Sequence, residues 1–91
     1  MKRTTKKKVG KKLTTLKALA NPVRLAILYE LSSGQKNPRD LARAIGEDYF
    51  NVAKQLAVLR DAGLVRSRRR GLRAYYRLLR PSVLRIIEQL P

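Results

Sequence analysis

The spacing of apolar residues changes after Gly63, and this change limits the folds open to the chain. Before this glycine, apolar residues recur at the interval of about 3.6 residues that is typical of amphipathic helices. After it, polar and apolar residues alternate, as in a strand with one buried face. We therefore predict two strands, over residues 64–69 and 73–78, that pair as a β-hairpin with its turn at Gly71.

Helices are predicted on both sides of the hairpin, from apolar spacing and from residues that suit helix ends. Asn21 and Asn37 can each accept hydrogen bonds from first-turn N–H groups, and each precedes a proline, which suits the first helical position. Asp48 is the corresponding N-cap of the next helix, which Gly63 ends. The predicted helices cover roughly residues 12–20, 22–32, 38–45, 49–62 and 82–90.

The third and fourth predicted helices are separated by a short turn at Gly46 and have the outline of a helix-turn-helix. Adding the hairpin and the last helix gives the order α-α-α-α-β-β-α. The predicted fold is therefore mainly α-helical with one β-hairpin, a winged helix-turn-helix. A length of 91 residues is enough for one such domain with one modest core.

The first twelve residues differ in composition from the rest of the chain. The segment MKRTTKKKVGKK holds seven basic residues and no acidic one. Such a composition buries little apolar surface, so residues 1–12 are predicted to be a disordered basic tail. Residues 13–91 are predicted to form the winged-helix domain.

The net charge of the chain points to a polyanionic partner. Lys and Arg number 22 against 6 Asp and Glu, which gives a net charge of +16. Nucleic acid is the partner that such a charge fits best. A membrane surface fits less well, since a basic segment also needs an exposed apolar face to anchor it there.

Several residue types that carry chemistry are absent from the sequence. The chain has no Cys and no His, so it lacks disulfides, thiolate and imidazole metal ligands, the cysteine nucleophile and the commonest general base. We therefore expect no enzyme activity and no cofactor. No apolar run is long enough for a signal-peptide core or a membrane span, and the expected location is the cytoplasm, at the nucleoid.

Three segments of the chain carry motifs in a characteristic order. They are Ala18–Leu31 (ALANPVRLAILYEL), Gln55–Val65 (QLAVLRDAGLV) and Tyr75–Leu78 (YYRL). Together they resemble the ArsR-type winged-helix transcriptional regulators, over about residues 13–90. The resemblance implies a homodimer bound to double-stranded DNA, with the recognition helix in the major groove and the wing beside the backbone.

The resemblance also implies that the first and last helices form the dimer interface. Their apolar residues exceed what two short terminal helices bury on one small core, which favours the same interpretation. The alternative that all of them cover the core of the monomer stays open. The predicted interface residues are Leu13, Leu16, Leu19, Val83, Ile86, Ile87 and Leu90.

The sequence departs from many of these regulators at the positions that sense metals. Such relatives use a Cys-containing motif at the start of the helix before the recognition helix, or Asp and His on the last helix. The chain has Lys36-Asn37-Pro38-Arg39-Asp40 at the first place and only Glu88 at the second. We therefore expect no metal site, and the sequence does not identify a regulatory signal.

Candidate DNA contacts on the recognition helix lie near its N-terminal end, on the side away from its apolar face. Asn51 and Gln55 have amides that pair with adenine, and Lys54 reaches guanine or a phosphate. Tyr49 suits a phosphate or a thymine methyl group, and Phe50 is either an apolar base contact or part of the core. The predicted set is Tyr49, Phe50, Asn51, Lys54 and Gln55.

Basic residues elsewhere are predicted to contact the DNA backbone. Alternation along the hairpin places most of its arginines on one outward face, with Arg69 near the tip. Tyr76 is expected to cover the hairpin as part of the core. The predicted wing contacts are Arg66, Arg68, Arg69, Arg70, Arg73 and Arg77, and those of the tail and helix starts are Lys6, Lys7, Lys8, Lys11, Lys12 and Arg39.

Three functions compete for such a chain. The first is a transcriptional regulator, a repressor that binds a pseudo-palindromic site as a homodimer. The second is an architectural nucleoid protein with low sequence specificity, which the high charge favours. The third is a winged-helix protein that binds structured RNA.

Overall fold

The computed structural model describes residues 3–91, with side chains from Thr5 onward. Five helices and two strands follow each other within these residues in the predicted order, and the winged helix-turn-helix fold is confirmed. The helices are α1 (Arg3–Leu19), α2 (Pro22–Leu31), α3 (Pro38–Ile45), α4 (Tyr49–Asp61) and α5 (Ser82–Glu88). The strands are β1 (Val65–Arg70) and β2 (Arg73–Leu78).

Helix α1 is longer than the sequence predicted, because it begins at Arg3 and not near residue 12. The segment predicted as a disordered tail is therefore helical over residues 3–12, and residues 1 and 2 lie outside the described part of the chain. Lysine and arginine have high helix propensities. Val9, Leu13 and Leu16 also share one helix face at the spacing i, i+4, i+7. Propensity and this stripe outweigh the local repulsion between like charges.

The three predicted N-caps are confirmed by their hydrogen bonds. The Asn21 side chain accepts from the backbone N–H groups of Val23 and Arg24, at 2.9 and 3.0 Å. The Asn37 side chain accepts from the backbone N–H of residue 40 at 2.9 Å, and Asp48 accepts from that of Asn51 at 2.9 Å. These bonds fix where α2, α3 and α4 begin, and thus set the directions of the helices in the helix-turn-helix.

The core lies between α2, α3, α4 and the root of the hairpin. The predicted inward residues of α4, Val52, Leu56 and Leu59, are all completely buried. Hairpin residues Leu64 and Val65 close the same core from the other side. The burial of these apolar faces holds α4 in a fixed position relative to the hairpin.

The hairpin has the predicted strands to within one residue, and its register places charged residues on one face. Arg66 lies opposite Arg77, Arg68 opposite Tyr75, and Arg70 opposite Arg73. Since residues two apart in a strand share a face, these side chains all project from the same side of the hairpin.

The turn and the root of the hairpin differ in how they are held. Gly71 adopts a φ of 64°, a left-handed conformation that favours glycine, and Leu72 beside it is 96% exposed. At the root, the backbone of Tyr76 exchanges two hydrogen bonds with that of Lys36, at 2.8 and 3.1 Å. Tyr76 is half-buried against the core, as predicted. The hairpin is thus fixed to the loop before α3 and projects beyond it.

The terminal helices bury less of their apolar surface than the central ones. Val83 is 8% exposed and belongs to the monomer core, so its predicted place in a dimer interface is wrong. It lies in the first turn of α5, which packs directly on the core. Leu19 and Ile87 are half-buried against the same core. No helix in residues 3–91 is long and apolar enough to cross a membrane.

The remaining predicted interface residues are exposed. Leu13 and Leu16 on α1 are 45% and 56% exposed, and Ile86 and Leu90 at the chain's end are 61% and 66% exposed. Both terminal helices therefore carry apolar side chains that the monomer leaves in contact with solvent.

Candidate nucleic-acid interface

The N-terminal end of α4 presents its predicted contact residues to solvent. Tyr49 is 43% exposed, Phe50 is 81% exposed, and Lys54 is exposed one turn later. The rings of Tyr49 and Phe50 meet edge to face, with centroids 5.5 Å apart. Phe50 is therefore not a core residue but an exposed aromatic surface at the start of the helix.

The structure corrects the prediction that Gln55 faces DNA, because Gln55 is 8% exposed. Its Oε1 accepts from Nη1 of Arg24 at 2.6 Å, and its Nε2 donates to Oδ1 of Asn51 at 3.1 Å. Asn51 itself is half-buried at the edge of the exposed face. The spacing held a signal for this burial, since Gln55 lies three residues after Val52 and four before Leu59.

A groove of about 370 Å³ lies between the hairpin and the start of the helix-turn-helix. Arg39 of α3, Tyr49 of α4, and Arg69 and Arg73 of the hairpin all line it. The guanidinium carbon of Arg39 lies 5.8 Å from the centroid of the Tyr49 ring, a cation–π distance. Residues far apart in the sequence thus form one concave surface with three positive charges.

The arginines of the hairpin have exposed side chains on both of its faces. Arg69 lies opposite Ala74, on the face that looks towards the groove. Arg66, Arg68, Arg70 and Arg73 share the other face by their register, and Arg73, which lies beside the turn, also lines the groove. Within residues 3–91, no carboxylate lies within 4.0 Å of a hairpin guanidinium group. The hairpin thus presents positive charge that no ion pair neutralises.

The lysines predicted to contact the DNA backbone lie away from this groove. Lys8, Lys11 and Lys12 line a separate cleft of about 550 Å³ with Asp61 and Arg80. This cleft lies at the C-terminal end of α4, the opposite end from Tyr49. Lys6 and Lys7 are also exposed on α1. The structure therefore brings Arg39 to the groove and leaves the lysines of α1 on another part of the surface.

The two segments that the family resemblance associates with metal sensing make other contacts in this chain. Lys36 donates from Nζ to the backbone oxygen of Glu30 at 3.0 Å and to Oγ of Ser33 at 2.8 Å. The Glu88 carboxylate lies near the Tyr29 hydroxyl, and this acceptor favours the protonated phenol and raises the pKa of Tyr29 above its ordinary value. In the described part of the chain, no three carboxylate, imidazole or thiolate side chains are grouped closely enough to hold a metal ion.

Known proteins resemble this chain in sequence. The model of the family described as "Bacterial regulatory protein, arsR family" matches residues 21–67. The chain is 42% identical to the HTH-type transcriptional regulator NmtR of Mycobacterium tuberculosis over 76 aligned residues. This alignment covers 84% of the chain and 63% of NmtR. It is 31% identical to a biofilm growth-associated repressor of Xylella fastidiosa, over 92% of the chain and 74% of that repressor.

Solved structures with the same fold extend this likeness over nearly the whole chain. NolR from Sinorhizobium fredii superposes with a TM-score of 0.87 at 28% identity, covering 97% of this chain and 88% of NolR. The Mb0332 domain from Mycobacterium bovis superposes with a TM-score of 0.85 at 32% identity, covering 97% of this chain and 82% of that domain. That domain is described as a homodimeric winged helix-turn-helix DNA-binding domain.

The extent of these matches establishes the family. The chain spans only part of some curated relatives. It covers 63% of NmtR, 31% of a second transcriptional regulator of Mycobacterium tuberculosis, and 64% of a repressor from Agrobacterium fabrum. The family model, however, matches more than half of the chain, and the similarity to the Xylella repressor covers about three quarters of that protein. The chain belongs to the ArsR family of bacterial regulatory proteins.

Proposed function

We propose that this chain is a transcriptional regulator that binds double-stranded DNA as a homodimer and acts as a repressor. The observation that carries the proposal is the groove between the hairpin and the start of α4. It joins exposed aromatic and cationic side chains of the helix-turn-helix to arginines of the hairpin that have no neighbouring carboxylate. A DNA duplex carries the matching negative charge along its backbone.

The two parts of this surface would have different roles on DNA. The N-terminal end of α4 would enter the major groove, where Tyr49, Phe50 and Lys54 reach base edges and thymine methyl groups. The hairpin would lie along the adjacent backbone, where arginines contact phosphates and fix the register without reading the sequence. Asn51 is a weaker candidate for a base contact, since its side chain already bonds to Gln55 and Glu47.

Exposed apolar residues on the terminal helices support a dimer. Leu13, Leu16, Ile86 and Leu90 would be covered by the same helices of a second chain. The homodimeric description of the Mb0332 domain supports this assembly. A two-fold dimer would recognise a pseudo-palindrome with half-sites about one helical turn, roughly 10 bp, apart.

We further propose that metal ions do not control this repressor. The chain has neither Cys nor His, so the segment around Lys36, where the family resemblance implies thiolate ligands, contains none. The repressor names of several relatives, including the biofilm growth-associated repressors, support repression as the outcome on DNA.

Selection of sites from a random duplex pool, followed by salt titration, tests the proposal. A regulator should prefer its selected site over random duplex by at least ~10³-fold. If each half of the dimer neutralises about six phosphates, the slope of log affinity against log salt should be about −11. In the same assay, Lys54→Ala should reduce the preference between sites.

The net charge of +16 favours one second candidate, an architectural nucleoid protein that coats DNA. Affinities within about tenfold of each other for all duplexes would contradict the regulator and support this alternative. Stronger binding to folded RNA than to any duplex would contradict both.

A further inference from the structure

The side chain of Arg24 joins the end of α1 to the recognition helix α4. Its Nε donates to the backbone oxygen of Ala18 at 2.6 Å, and its Nη2 donates to that of Lys17 at 3.2 Å. Its Nη1 donates to Oε1 of Gln55 at 2.6 Å. One guanidinium group on α2 therefore bonds to both α1 and α4.

The bonds to α1 are well matched in charge and geometry. The last carbonyl groups of a helix lack partners within the helix and carry partial negative charge, so a cation there is favourable. Arginine presents its N–H groups in a rigid planar fork, which holds several acceptors at fixed angles. Near this end of α1, Ala18 is buried while Leu16 is 56% exposed. Arg24 therefore adds directional bonds at the end of α1 where Ala18 and Leu19 pack on the core.

The bond to Gln55 continues as a chain of hydrogen bonds along α4. Arginine only donates, so the Gln55 oxygen must face Arg24 and the Gln55 amide nitrogen must donate onward. It donates to Oδ1 of Asn51 at 3.1 Å, and Nδ2 of Asn51 donates to Oε2 of Glu47 at 3.2 Å. The chain of bonds therefore runs from the end of α1 to the start of the recognition helix.

We propose that Arg24 is a positioning residue that fixes the orientation of α1 relative to α4. This inference rests on the proposed function, in which α1 contributes to the dimer interface and α4 enters the major groove. The angle between these two helices then determines how far apart, and at what relative rotation, the two recognition helices of a dimer lie. Arg24 would therefore determine which half-site spacing the dimer accepts, without touching DNA.

A measurement without DNA tests the bracing role directly. The chain has no native cysteine, so Lys7→Cys and Lys54→Cys place one spin label on α1 and one on α4. Dilution with unlabelled chain isolates the distance within one protomer. We expect a narrow distance distribution in the parent, the doubly labelled chain with no other change. Arg24→Lys should broaden it, because lysine keeps the charge but lacks the planar fork of N–H groups. Gln55→Met should broaden it too, since it removes the bond from Arg24 to α4, together with the Gln55–Asn51 bond within α4, and leaves both bonds from Arg24 to α1.

The matched control is Arg43→Lys, the same change at an exposed arginine of α3 whose recorded ion pair is with Asp40 at 4.0 Å. This control should leave the distribution as narrow as in the parent. If Arg24→Lys proves too unstable to label, Gln55→Met gives the answer by itself. A distribution that stays narrow in the Arg24 and Gln55 variants would overturn the proposal.

Binding to duplexes with altered half-site spacing tests the functional consequence, with chains that lack the labels. Each added base pair rotates one half-site by about 35° relative to the other. The wild type should lose about tenfold or more in affinity when the selected spacing changes by one base pair, and the two variants should lose less than about threefold. Unchanged spacing preference in both variants would also overturn the proposal. A wild type that selects no site would instead contradict the proposed function, and the spin-label result would still decide whether Arg24 braces the helices.

Discussion

Replacing Arg68 and Arg70 together by alanine should weaken binding to every duplex by a similar factor. Both side chains lie on the face of the hairpin that points away from the core, and no described carboxylate lies within 4.0 Å of either guanidinium group. Their charge is therefore fully available to phosphates. Since phosphates carry no sequence information, the loss should be equal on selected and scrambled duplexes.

The size of the effect follows from the number of charges removed. A dimer carries two copies of each arginine, so the double variant removes up to four phosphate contacts. Each contact contributes about 0.9 to the salt slope, so the slope should become less steep by up to about 3.6. Folding should suffer little. Removing Arg70 relieves repulsion with Arg73 directly opposite, which offsets the loss of its cation–π contact with the Tyr75 ring 5.9 Å away.

Fluorescence anisotropy over a series of salt concentrations gives the slope, and thermal unfolding gives the stability. The matched control is the double variant Arg43→Ala with Arg60→Ala, which removes the same charge. Each of these two arginines lies on a helix and not on the hairpin, and each lies within 4.0 Å of a carboxylate. An unchanged slope in the hairpin variant would refute the docking of the hairpin on the backbone. The same docking would be refuted if the salt slope changed equally in the control variant. It would also be refuted if the hairpin variant lost affinity only for the selected duplex.

Three further changes address other parts of the molecule. Ile86→Glu should give monomers in size-exclusion chromatography with light scattering, because it places a charge on a 61% exposed apolar position; a persistent dimer would exclude α5 from the interface. Asn37→Ala should lower the free energy of unfolding by about 1–2 kcal/mol in denaturant titration, since it removes a buried cap; no loss would contradict the capping role. Glu88→Gln should lower the pKa of Tyr29 towards its ordinary value in an NMR titration of labelled tyrosine; an unchanged pKa would contradict their contact. Because folding raises this pKa, the stability from the Tyr29–Glu88 pair is lost as the pH rises through it.

The parts of the fold that the sequence predicted well depend on local rules. Asn21, Asn37 and Asp48 accept hydrogen bonds from backbone N–H groups two or three residues later, so each cap is readable within a few residues. The hairpin is readable for a similar reason, because alternation and Gly71 fix its strands and turn without reference to distant residues. These local rules together place the recognition helix and the wing.

The parts that the sequence predicted poorly depend on how distant helices meet. The helical pattern predicts Gln55 near the outer face of α4, because Val52, Leu56 and Leu59 form the inner one, yet Gln55 is buried with Arg24 of α2 as its partner. Val83 was assigned to a dimer interface because it shares an apolar stripe with exposed residues, yet the first turn of α5 packs on the core. The groove likewise depends on the hairpin reaching Arg39 and Tyr49, which no local pattern specifies.

The arginines of the hairpin have a consequence for unbound chains as well. Among residues 3–91, strand β1 pairs only with β2, so its outer edge keeps unpaired backbone groups that could join a strand of another molecule. Every residue of β1 after Val65 is exposed, and four of the five are arginine. Two such edges repel each other before their backbones can pair. The charges that attract the protein to DNA therefore also discourage its free copies from aggregating through their sheets.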